Sequence, residues 1–113
     1  MNERQLAEDI LEIVLENAVK HEAQKVRTIS VLVGELSDIK MSVLTQAFVE
    51  LAANTLAAHA ELDITYIPAV VYCHECKKRM TVEPSKFICS VCGSTRLEIL
   101  TGDSLQIEDI EFD

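Results

Sequence analysis

At 113 residues, 49% apolar and 26% charged, the chain has material for one modest hydrophobic core and not for two. Its net charge of −9 repels phosphate backbones, so nucleic acid is not expected as a partner. The apolar runs are short and broken by charge, and Glu3, Glu8 and Asp9 come where a signal peptide would be basic; no membrane span and no export signal are expected, and the location implied is cytoplasmic.

Residues 4–22 read as an amphipathic helix. Leu6, Ile10, Ile13, Val14 and Ala18 share one face, and Glu8, Glu12 and Glu16 lie opposite. Residues 26–34 read as a strand, with Ile29, Val31 and Val33 alternating with Thr28, Ser30 and Leu32. Gly34 ends it, and Glu35-Leu36-Ser37-Asp38 is a connector. A second helix is expected from about Met41 to about Ala57, with Leu44, Ala47, Phe48 and Leu51 as its apolar stripe. A second strand is expected over roughly 62–71, with Leu62, Ile64 and Tyr66 on one face. Pro68 marks it as an edge strand or interrupts its pairing. After a cysteine-bearing segment, Thr101-Gly102-Asp103-Ser104 signals a turn. A third strand, 105–112, closes the chain; its alternation slips between Ile107 and Ile110, which suggests a bulge. A strand this short needs partners, and the first two strands are the nearest. The expected fold class is α+β: two helices on a three-stranded sheet, with an inserted zinc-ribbon-like domain. The expected boundaries are 1–71 plus 101–113 for the first domain and 72–100 for the insertion.

The chemistry concentrates in the insertion. Cys73 and Cys76 form one Cys-x2-Cys pair, twelve residues follow, and Cys89 and Cys92 form another. Two intervening residues let one tight turn aim both sulfurs at the same ion, and two such knuckles supply a tetrahedral thiolate shell. Zinc suits soft thiolates; a rubredoxin-like iron centre uses the same ligands. Four thiolates leave no position for water or substrate, so the ion is structural and does no hydrolysis. Gly93 follows the last cysteine, where a knuckle favours positive φ. The segment has few other apolar residues, so metal binding must supply much of its folding free energy. It holds five basic against three acidic side chains, whereas the rest of the chain holds five against sixteen. Of the histidines, His21 ends the first helix and suits its negative pole. His59 sits in a loop. His74 lies inside the first knuckle, as a surface residue, an alternative ligand or a pH-responsive neighbour. No nucleophile motif, phosphate loop or open metal site is present, so an enzyme is not expected.

In order and spacing the chain resembles the HypA/HybF hydrogenase maturation proteins, which are nickel-insertion chaperones. The marks are Met1-Asn2-Glu3, Val33-Gly34-Glu35-Leu36-Ser37, the two Cys-x2-Cys pairs and Gly102-Asp103-Ser104-Leu105. The resemblance implies a nickel-binding α/β domain carrying a zinc-ribbon-like insertion. It also implies a transient nickel site at the N-terminus, built from the Met1 amine, the amide nitrogens of Asn2 and Glu3, and a histidine at position 2. Here Asn2 stands in that histidine's place, which removes the imidazole donor from the set. The partners implied are a HypB-type GTPase and a hydrogenase large subunit, with monomer and homodimer both open. A zinc-ribbon protein-interaction adaptor that carries no nickel itself is the alternative reading.

Overall fold

The computed structural model describes residues 2–113. Its elements run α1 (Glu3–Lys20), β1 (Val26–Gly34), a short 3-10 turn (Glu35–Ser37), α2 (Met41–Ala52), β2 (Glu61–Ile67), β3 (Val70–Cys73), β4 (Lys78–Thr81), β5 (Leu97–Thr101) and β6 (Leu105–Phe112). They form two three-stranded sheets, ordered β2-β1-β6 and β4-β3-β5. The chain folds into two compact units. One contains the chain through Val31, Ile39–Thr65 and Gln106–Asp113; the other contains Leu32–Asp38 and Tyr66–Leu105.

In the first unit α1 and α2 pack together. α1 buries Leu6, Ala7, Ile10, Val14 and Ala18, and α2 buries Leu44, Ala47, Phe48 and Ala52. β1 adds Ile29 and Val31 from its covered face. Each large apolar side chain so buried contributes about 2 kcal/mol. α1 stops where the amide of Glu22 reaches the Val19 carbonyl at 3.1 Å and that of Ala23 reaches Ala18 at 2.9 Å. This is a Schellman closure, with Glu22 at φ 51 in the position glycine usually holds. β6 runs antiparallel to β1: the Asp113 amide donates to Lys25 at 2.9 Å, and Arg27 meets Glu111 at 2.7 Å. Both charged partners are exposed, so water and salt screen the ion pair and it adds little.

Two expectations are corrected. α2 ends at Ala52, not near Ala57, because Thr55 takes over the Ala52 carbonyl with its own amide at 3.0 Å and its hydroxyl at 2.8 Å. A side-chain hydroxyl that bonds the local backbone competes with helix continuation. The strand expected over 62–71 is two strands in different sheets, parted at Pro68 and Ala69. Pro68 has no N–H to continue a ladder.

The second unit is thinly packed. Its apolar cluster is Ala69, Val71 and Val82, flanked by half-buried Leu36, Met80, Phe87 and Leu97. β3 pairs antiparallel with both neighbours, and Val71 stands opposite Met80 and Ile99. The 3-10 turn packs Leu36 on this cluster and is tied in by backbone hydrogen bonds. The Gly34 amide donates to Ser104 at 2.8 Å and the Leu36 amide to Gly102 at 2.7 Å. A Cβ on Gly34 would collide with the Gly102 carbonyl, and one on Gly102 would lie 2.7 Å from the Ala69 Cα. Among the described residues, no helix is long and apolar enough to cross a membrane.

Candidate metal centre

Two knuckles build the centre, and they are near copies. In the first, the Lys77 amide donates to the Cys73 carbonyl at 2.8 Å; in the second, the Gly93 amide donates to Cys89 at 3.0 Å. Both closing residues have positive φ, 59 for Lys77 and 73 for Gly93. β3 carries Cys73 to its buried end, and the turn after it delivers Cys76.

The four sulfurs lie within 4.8 Å of one another. Cys73 Sγ is 3.7 Å from Cys92 Sγ, and Cys76 Sγ is 3.7 Å from Cys89 Sγ. A tetrahedral shell with metal–sulfur bonds of about 2.3 Å has sulfur–sulfur edges of about 3.8 Å, which the two 3.7 Å pairs match, so the donor set and its spacing fit zinc. The amides of Val91 and Cys92 both point at Cys89 Sγ from 3.4 Å. These donors, the Cys92 amide foremost, pull the Cys89 thiol down to about 6. Burial, aided by the Cys73 and Cys89 thiols, pushes Cys76 up to about 12. Four crowded thiols cannot all ionise against one another, and a divalent cation at their centre removes that obstacle. The four clustered cysteines therefore suggest a structural zinc site, with no position left for substrate. His74 is not among the clustered groups. It is exposed, with its ring edge-on to Tyr72 at 5.0 Å.

At the other candidate site, Met1 lies outside the described residues. Asn2 and Glu3 are brought together at the start of α1, and both side chains are engaged. Asn2 is the helix N-cap, its Oδ1 accepting from the Gln5 amide at 2.8 Å. Glu3 accepts from the Lys40 amide at 3.2 Å, at the entry to α2. That bond, with one from its own amide, holds the Glu3 carboxyl below its ordinary value of 4.5. The contact is therefore fully present at neutral pH and is lost as pH falls through the lowered value. The capping role was readable in Asn2-x-x-Gln5, which matches the helix-start pattern; the Glu3 bond to a residue 37 positions away was not. Replacing Asn2 with Ala should lower the thermal stability of the α1 unit by about 1 kcal/mol. An unchanged midpoint in a melt followed by helical circular dichroism would contradict the cap.

His21 caps the far end of α1. Its Nδ1 lies 2.9 Å from the Asn17 carbonyl, and its ring stacks on Phe112 at 5.2 Å. The helix-end role was legible in the sequence and the stack was not. His59 is exposed.

Comparison with known proteins gives a consistent result. The family model described as hydrogenase/urease nickel incorporation, metallochaperone, HypA matches residues 1–112. The chain is 35% identical to the hydrogenase maturation factor HypA of Alkalilimnicola ehrlichii, over 100% of both chains. It is 29% identical to the hydrogenase maturation factor HybF of Escherichia coli O6:H1, again over 100% of both. Its fold matches the solution structure of the Ni metallochaperone HypA from Helicobacter pylori with a TM-score of 0.71 at 24% identity, covering 99% of this chain and 97% of that one.

Proposed function

This chain belongs to the HypA family of hydrogenase/urease nickel-incorporation metallochaperones, and from that premise we propose that it is a maturation factor that hands nickel to a hydrogenase large subunit. The observation that carries the reading is the family match along residues 1–112. In it, Cys73, Cys76, Cys89 and Cys92 hold a structural zinc. The cargo, Ni(II), is taken at the N-terminus by the Met1 amine and the amide nitrogens of Asn2 and Glu3. The zinc unit and the α1 unit thus divide holding shape from handling cargo. No covalent chemistry is performed; the chain acts in the cytoplasm by docking, with a HypB-type GTPase as the partner.

Complementation tests the reading. In a hydrogenase-producing bacterium lacking its own family member, the chain should restore nickel in the large subunit and hydrogenase activity. No restoration by a zinc-loaded, well-expressed chain would sink it. A second reading is favoured by one observation, that the Asn2 side chain caps α1 and offers nickel no imidazole. On this reading the chain is a zinc-ribbon adaptor that brings partners together while nickel travels elsewhere. A short N-terminal extension separates the two. It blocks the Met1 amine, so nickel carriage is lost, whereas an adaptor keeps working.

Nickel affinity gives a sharper result. Asn2→His should bind Ni(II) more tightly than the unaltered chain, because imidazole is a neutral nitrogen donor at pH 7 and a carboxamide is not. Its square-planar absorption band should strengthen as pH rises, since amide nitrogens bind only when deprotonated. Equal affinity for the two chains would place nickel away from the N-terminus.

A further inference from the structure

The two knuckles differ at the residue that closes them. Gly93 holds its positive φ with nothing near its missing Cβ. Lys77 holds φ 59 in the equivalent place, where a side chain costs about 1 kcal/mol that glycine does not incur. Lys78 and Arg79 follow on β4, and all three cations are exposed. Among the described residues none of them pairs with a carboxylate, while nearby Glu75 is held by Arg96 at 3.0 Å. β4 is an edge of its sheet. Arg79 stands opposite Tyr72 in register, and the Tyr72 ring lies against His74. An open strand edge and the knuckle residue before it thus carry three cations without a carboxylate partner among the described residues, beside an aromatic pair, in a chain of net charge −9.

We propose that the open edge of β4 docks an extended acidic peptide segment of a partner protein, with backbone pairing along Lys78–Thr81 and carboxylates meeting Lys77, Lys78 and Arg79. Edge strands offer unpaired backbone groups to any extended chain. Lysine on an edge blocks a second copy of the same edge by like-charge repulsion, and by the same field it draws a strand of opposite sign. Edge protection alone explains Lys78 and Arg79. It does not explain a strained lysine where the twin knuckle uses glycine. A nucleic acid presents the same sign of charge, but it has no peptide N–H and C=O groups to pair along the edge of β4, and three cations are few for counterion-driven binding. The inference is independent of nickel and stands or falls apart from the cargo reading.

The test uses the full, zinc-loaded chain. A fluorescein-labelled peptide of alternating Glu and Val is titrated by anisotropy, beside an alternating Lys and Val peptide and a single-stranded oligonucleotide of similar length. The acidic peptide should bind saturably, and binding should fade toward about 1 M salt, where screening acts within about 3 Å. The Lys and Val peptide should not bind. Amide resonances of 77–81 should shift on binding. The double reversal Lys78→Glu with Arg79→Glu should weaken binding by about tenfold or more; Lys86→Glu, on the same unit but off the strand, should not. Zinc content and amide dispersion report that the variants remain folded, and resonance mapping of the unaltered chain decides the matter if the double variant does not fold. Absence of acidic-peptide binding, equal binding of the Lys and Val peptide, tighter binding of the oligonucleotide, or shifts confined to other elements would each overturn the proposal.

Discussion

Removal of the metal by a strong chelator should unfold 66–105 while the helical signal of α1 and α2 persists. The apolar cluster in 66–105 is small, Ala69, Val71 and Val82 with Met80, Phe87 and Leu97 half-buried beside it, and a core this thin cannot by itself order the segment. Structural zinc binding contributes roughly 10–16 kcal/mol of apparent free energy in comparably small modules. Replacement of Cys73 by Ser should have the same effect as chelation, since Cys73 is buried at the end of β3 and cannot be relieved by water. Amide hydrogen exchange is the measurement: protection across β3, β4 and β5 should vanish, and protection in α1 should remain. Persisting protection in those strands, with metal analysis confirming an empty site, would refute a metal-dependent fold.

Gly102→Ala should destabilise the zinc-loaded protein by about 3 kcal/mol or more. Two independent costs combine. At φ 97 an L side chain is strained by about 1–2 kcal/mol, and the new Cβ would press on the Ala69 Cα and the Pro68 carbonyl, at 2.7 and 2.8 Å. Those neighbours are backbone atoms and cannot rotate away. Gly34→Ala meets the Gly102 carbonyl in the same manner and should be comparably severe. Gly93→Ala is the internal control: its φ is also positive but nothing lies within 4 Å, so its cost should be only about 1 kcal/mol. Urea midpoints of the three variants provide the comparison. Equal costs would mean that backbone proximity at Gly34 and Gly102 is not what those glycines serve.

The two glycine turns show what a sequence reading reaches and where it stops. Val33-Gly34-Glu35-Leu36-Ser37 and Gly102-Asp103-Ser104-Leu105 were recognisable as marks of a family, yet seventy residues apart they carried no sign that they lie against each other. Their contact is backbone to backbone, so no side-chain pattern encodes it. By contrast, β1 and β6 were legible to the residue: apolar alternation marks β1, and in β6 a run of alternating residues that slips once, between Ile107 and Ile110, follows a clear turn signal. The end of α2 was missed because its stripe of Leu44, Ala47, Phe48 and Leu51 continues in alanine-rich sequence to Ala57, and one hydroxyl decides against it. The four cysteines were readable because ligand spacing reports chemistry directly. The Cys89 sulfur's two amide donors were not, since any residue supplies an N–H. Asn2 was weighed only as a replacement for a donor; its place before Glu3 and three residues ahead of Gln5 made it a helix cap.

The four cysteines are not equally exposed. Cys73 and Cys89 are buried, Cys76 is half-buried, and Cys92 is exposed. Metal exchange at a saturated thiolate shell proceeds ligand by ligand, as an incoming chelator or oxidant takes one sulfur before the others yield. With Cys92 exposed and Cys73 buried at the end of β3, an incoming chelator is expected to meet Cys92 first. The packing around that one knuckle would then set how fast a bound ion is traded, while all four ligands set how strongly it is held.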